Sequence, residues 1–224
     1  MLALWLRRND RAIAGGIGFS AGIMILISFI ELIPEARAGI GLPAAIFTAL
    51  SGAFLLWIMH TILPHTHLIK EHSLIDPTVV KSVYLVVFGL ILHDVPEGFA
   101  MANAYISSPS LGVLVAIAIA LHNLPEEFAL CIPVVALKSR RFLFGTALLS
   151  ALAEPVGALL GLLANEIAPV LNPFFLSFAA GAMIFVSVHE LLPLARRYGA
   201  LRYFIGGITL SVAVYRLLAW AITG

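Results

Sequence analysis

Apolar residues run along this chain in long, nearly unbroken stretches, separated by short segments holding proline, glycine or clustered charge. The stretches fall at about 12–33, 43–63, 80–106, 110–137, 142–164, 170–193 and 203–222, each near the roughly 20 residues that a membrane-crossing helix needs. The breakers are Pro34, the Gly39–Pro43 segment, Pro64, Ser107–Ser110, the Lys138–Arg141 turn, Pro169 and Gly199. No ten-residue alternation of apolar and polar positions appears, so a membrane barrel is not expected. Continuous apolar runs in lipid must satisfy their own backbone, which leaves helices. The pattern predicts an all-α, polytopic bundle of seven transmembrane helices, forming one domain over residues 1–224. A loop at 64–79 carries His65, His67 and His72.

Composition agrees. Hydrophobic residues make up 61% and charged residues 11%, against about a quarter charged in a soluble domain, and the mean hydropathy is +1.05. The formal net charge of +1 offers nothing to nucleic acid. The single cysteine, Cys131, excludes an internal disulfide framework and a cysteine-cluster metal site. The apolar run after Arg7, Arg8 and Arg11 continues past Ile30 and reads as a retained span, not a cleaved signal. No phosphate-binding glycine loop points to ATP-driven pumping.

Basic residues set the expected orientation. Arg7, Arg8, Arg11, Lys70, Lys81, Lys138, Arg140, Arg141, Arg196, Arg197 and Arg202 all fall on the N-terminal side of the predicted spans. Arg37 alone lies on the other side, and Arg216 lies within the last span. Positive charge stays inside. The N-terminus and the 64–79 loop are therefore expected in the cytoplasm and the C-terminus outside. Small residues recur at Gly15, Gly16, Gly18 and Gly22, at Gly157 and Gly161, and at Gly206 and Gly207; they allow close helix packing.

Against this background the acidic residues stand out. Glu31, Asp94, Glu97, Glu126, Glu127, Glu154 and Glu190 lie inside predicted spans, with Arg216 the one basic residue in that region. An unpaired charge near a helix centre costs about 2.5–3.5 kcal/mol. The set must therefore be protonated, hydrated or bound to something positive. Two stretches repeat one arrangement, HDVPEGFA at 93–100 and HNLPEEFA at 122–129. Positions three and four apart share a helix face, so His93 and Asp94 join Glu97, and His122 and Asn123 join Glu126. Pro96 and Pro125 remove amide donors and leave carbonyls near 92 and 121 without their usual partners. Glu154, followed by Pro155, brings a third helix to a similar depth. Imidazole and carboxylate together suit zinc, iron(II), cobalt or manganese. Two adjacent positions are expected. One uses His93, Glu97, His122 and Glu126; the other uses Asp94, Glu97, Asn123, Glu126 and Glu154. Glu127 lies on a different face and is read as either a hydrogen-bonding neighbour or a ligand. Glu31 at one end, His189 and Glu190 at the other, and His65 and His67 in the loop could mark stops along a path. His60 is read as a solvated polar position, and Arg216 as structural.

On HDVPEG (93–98), HNLPEE (122–127), AEPVGA (153–158), HELLP (189–193) and AGIMILISFIELIPEA (21–36), the sequence resembles the ZIP (Zrt-, Irt-like) divalent-metal transporter family, most nearly its bacterial zinc-uptake branch. The resemblance implies a mid-membrane binuclear metal centre at His93, Asp94, Glu97, His122, Asn123, Glu126 and Glu154, and exit-side ligands at His189 and Glu190. It also implies uptake of Zn2+, or of Fe2+, Mn2+, Co2+ or Cd2+, into the cytoplasm across a bacterial inner membrane, commonly by a homodimer. Three features depart from the family pattern. Seven spans are read where the family usually has eight, the first family helix being unmatched. HD stands in the first motif and HN in the second. Glu127 occupies the usual glycine position. The rival readings are an intramembrane zinc hydrolase, which lacks an H-E-x-x-H signature here, and a metal-binding protein that does not transport.

Overall fold

The computed structural model describes residues 9–62, 93–136 and 140–223; within these, side chains at 62, 126–143, 146–147, 197 and 223 fall outside the described set. The 64–79 loop and the start of the third predicted span therefore lie outside the described residues. So do the side chains of Glu126 and Glu127.

Every element that was described is helical apart from short connections. Helix α1 (Asp10–Leu26) begins at Asn9, whose side-chain oxygen accepts a hydrogen bond from the Ala12 amide at 3.1 Å. It passes through a π turn (Ile27–Leu32) into α2 (Ile33–Ile40). There follow α3 (Leu42–Ile62), α4 (93–107), α5 (Pro109–Ala136) and α6 (Arg140–Ile167). Helix α7 (Asn172–Val186) passes through a second π turn (Ser187–Leu191) into α8 (Leu192–Arg197), and α9 (Leu201–Thr223) completes the chain. Among the described residues five segments are long and apolar enough to cross a bilayer: Asp10–Ile40, Leu42–Thr61, Leu148–Ile167, Pro169–Arg196 and Leu201–Ile222; Pro109–Pro125 is a shorter apolar stretch. Phe47, Phe54, Phe144, Leu217 and Trp220 face outward, as lipid contact requires. The chain is an integral membrane protein.

The two π turns mark an internal repeat. FSAGIMILISFIELIPEA (19–36) and FAAGAMIFVSVHELLPLA (178–195) agree at ten of eighteen positions. In each copy a serine hydroxyl bonds back to a methionine carbonyl, Ser28 to Met24 at 2.8 Å and Ser187 to Met183 at 2.9 Å. In each a proline follows, Pro34 or Pro193, which can give no amide hydrogen to the preceding turn. The helix widens just before it, so that the Ile33 amide reaches Ser28 O and the Leu192 amide reaches Ser187 O. Gly41 (φ 77°) and Gly199 (φ 61°) make the turns that end the two copies, in a backbone region that glycine enters freely.

The copies pack crosswise. A side chain on Gly22 would strike Ile208 and Ser211 of α9, and one on Gly181 would strike Ala49 of α3. The offset that maps Glu31 onto Glu190 also maps Ala49 onto Ile208, so the contacts are equivalent. Small residues here let helices approach within backbone contact. Around the crossings Ile17, Ile23, Met24, Leu114, Ile119, Leu176 and Met183 are fully buried.

Candidate metal centre

The site is built where α4, α5 and α6 meet. Gly98 and Gly157 set the α4–α6 crossing: a side chain on Gly98 would overlap the Glu154 carbonyl, and one on Gly157 would overlap the Val95 carbonyl. The glycine of HDVPEG thus brings α6 against the motif. Helix α1 holds α5 from the other side. A side chain on Gly16 would strike Pro125, and the Ser20 hydroxyl donates to the His122 carbonyl at 2.6 Å. Helix α5 continues through Pro125, and α6 continues through Pro155.

Glu97 and His122 are fully buried, and His93 and Asp94 nearly so. The His122 Nδ1 lies 3.1 Å from the Ala118 carbonyl, and its Nε2 lies 3.2 Å from Glu97 Oε1. A carbonyl can only accept, so Nδ1 meets it as a donor; in a neutral ring Nε2 then turns its lone pair to the carboxylate, and in a doubly protonated ring Nε2 donates to it. With the ring neutral two acceptors face each other at 3.2 Å, and a proton or a metal cation between them makes that arrangement favourable. The other carboxylate oxygen, Glu97 Oε2, is buried and accepts no hydrogen bond among the described residues.

The remaining motif residues are tied together differently. Asn123 donates from Nδ2 to Glu154 Oε1. Asp94 Oδ2 accepts from the Ser150 hydroxyl at 2.6 Å, and Asp94 Oδ1 lies 3.5 Å from His93 Nε2. Spacing assigned Asp94 to the second set, yet its oxygen faces a histidine of the first. Among the described residues no three His, Cys, Asp or Glu side chains already surround a common point. The described carboxylates are held in pairwise contacts, and the Glu126 side chain lies outside them.

The other polar residues gather at the two π turns. Tyr215 of α9 donates its phenol to Glu31 Oε1, and Ser107 donates to Glu35 Oε1 one turn further along α2. At the second π turn Glu190 Oε1 lies 3.0 Å from His60 Nε2. The His60 and His189 ring centroids are 5.1 Å apart, and Phe185 stacks on His189 at 4.7 Å. His60 corrects the expectation from sequence: its side chain is 7% exposed and packed against Glu190, not solvated. Its position near the end of an apolar run could not reveal that partner, which lies on a helix far along the chain. Ser20 and Ser150 were also missed. Ser150 precedes Glu154 by four residues, and that spacing was the available signal. Arg216 is exposed and forms no ion pair among the described residues.

A membrane bundle that keeps imidazoles and carboxylates paired in its interior has the chemistry of a functional site for a cation. The family profile described as ZIP Zinc transporter matches residues 69–212. The chain is 36% identical over 229 residues to the zinc transporter ZupT of Chlorobium phaeovibrioides, covering 93% of this chain and 86% of that protein. It is 36% identical over 225 residues to the ZupT of Corynebacterium aurimucosum, covering 92% and 84%. It is 38% identical over 192 residues to the zinc transporter GufA of Myxococcus xanthus, covering 83% and 73%. The chain belongs to the ZIP family. It is accordingly a divalent-metal transporter and not an enzyme.

Proposed function

We propose that this protein carries Zn2+ across a bacterial inner membrane into the cytoplasm, through two adjacent cation positions in the middle of the bundle. The supporting observation is the Glu97–His122 pair, Oε1 and Nε2 buried 3.2 Å apart beside a carboxylate oxygen that accepts no hydrogen bond among the described residues. Zinc bonds to histidine nitrogen and carboxylate oxygen are about 2.0–2.2 Å long, so ligand atoms sharing one ion sit roughly 3.3 Å apart, close to the distance found here. The first position uses His93, Glu97, His122 and Glu126, and the second uses Asp94, Glu97, Asn123, Glu126 and Glu154. Fe2+, Mn2+, Co2+ and Cd2+ compete for the same nitrogen and oxygen donors.

The cation enters past Glu31, reaches the paired positions and leaves by His189, Glu190 and His60 toward His65 and His67 of the loop. The basic residues on the N-terminal side belong in the cytoplasm and so set which end is which; inward movement is what the family resemblance implies. Glu127 lies beside the path, and the protein works as a homodimer. Zinc flux into proteoliposomes tests the assignment. Glu97→Ala and Glu126→Ala should each abolish it, and flux equal to that of the unaltered protein in both would reject these residues as the site.

A further inference from the structure

Ser150 belongs to neither expected ligand set, and no family motif quoted above contains it. It is buried on α6, one turn before Glu154. Other hydroxyls in the bundle, those of Ser28, Thr48, Ser187 and Thr209, reach a carbonyl four residues back in their own helix. The Ser150 hydroxyl crosses to α4 and donates to Asp94 Oδ2 at 2.6 Å, in a place where both residues are almost wholly shielded from water. A hydroxyl bonded to an ionised carboxylate at that length makes a strong, directional contact. It fixes the plane of the carboxylate, and it leaves Oδ1 toward His93 Nε2 at 3.5 Å.

We infer that Ser150 is a positioning residue that orients the Asp94 carboxylate for the cation. Helix α6 then serves the centre twice: Glu154 engages Asn123 of α5, and Ser150 engages Asp94 of α4. The fixed hydroxyl removes the carboxylate's freedom to turn away, so less order has to be gained when the cation arrives. This inference rests on the reading of Asp94 as a ligand. Groups that hold metal-binding side chains from behind typically change affinity by about 10–100-fold when lost.

Ser150→Thr and Ser150→Val provide the test, because the two side chains have nearly the same shape and differ in the hydroxyl. Zinc uptake by the full-length protein in proteoliposomes is measured for both, alone and combined with Asp94→Ala. The valine variant should raise KM about tenfold over the threonine variant, with the saturating rate changed by less than about twofold. In the Asp94→Ala background the two should be indistinguishable. Equal KM for threonine and valine with Asp94 present, or the same difference with Asp94 absent, overturns the inference while leaving the Asp94 assignment intact. An unchanged KM for Asp94→Ala alone overturns that assignment, and the role of Ser150 with it.

Discussion

Glu97 of α4 and His122 of α5 stand 3.2 Å apart, Oε1 to Nε2, with no measurable exposure to solvent. The Ala118 carbonyl faces Nδ1 and takes a hydrogen there. With the ring neutral, what remains between the two residues is a lone pair facing a carboxylate. That contact is unfavourable alone and favourable around a cation. It is a sounder basis for function than charge inside an apolar run, because it fixes which atoms meet.

Replacing Glu97 with glutamine should separate charge from shape. Glu97→Gln keeps the volume and can still hydrogen-bond to His122, but it removes the negative charge the cation needs. Zinc uptake should fall by more than about 100-fold, beyond the 10–100-fold typical of residues that only support a ligand. Radiolabelled zinc entering proteoliposomes measures it, and uptake within tenfold of the unaltered protein would exclude Glu97 as a ligand.

Glu154 should govern the second cation position and not the first. Glu154→Gln removes the charge that now accepts from Asn123, while the Glu97–His122 pair is left in place. Zinc bound per chain, read by mass spectrometry after equilibrium dialysis, should drop from two to one. Two ions retained would place Glu154 outside the centre.

The α4–α6 crossing should tolerate no side chain at position 98. Gly98→Ala drives a methyl group into the Glu154 carbonyl, and overpacking of this kind costs about 1–3 kcal/mol. Gly145→Ala, where an added methyl meets nothing within 4 Å, should be neutral or stabilising by roughly 0.5–1 kcal/mol in a helix. Thermal unfolding in detergent compares them; equal midpoints would argue against the crossing.

Acid should weaken uptake. Metal binding requires deprotonated carboxylates and neutral imidazoles, so each cation bound displaces protons. As pH falls from about 8 toward about 5.5, protons compete with zinc for these ligands and KM for zinc should rise. A KM that stays flat across that range would mean that the ligands carry no exchangeable protons.

His60 should matter through Glu190. His60→Phe fills the space and keeps a ring against Phe185 and His189, but loses the nitrogen 3.0 Å from Glu190. Zinc release on the His189 side should slow by about tenfold, the lower range for lost metal-supporting contacts. Stopped-flow efflux from preloaded vesicles reads it, and an unaltered rate would return His60 to a packing role.

The sequence alone determined that the chain lies in a membrane as helices, since runs of about 20 apolar residues have no other stable form in lipid. It also placed His93, Asp94 and Glu97 together, and His122 and Asn123, because residues three and four apart share a face whatever the helix packs against. Tertiary structure decided everything that depends on how helices approach. Glu97 meets His122, Asp94 is held by Ser150, Glu190 faces His60 and Glu31 faces Tyr215. None of these pairs has a spacing that periodicity can detect. Gly98 and Gly157 let α4 touch α6, Gly22 lets α1 touch α9, and Gly181 lets α7 touch α3, and the distances between side chains on different helices depend on such points of contact.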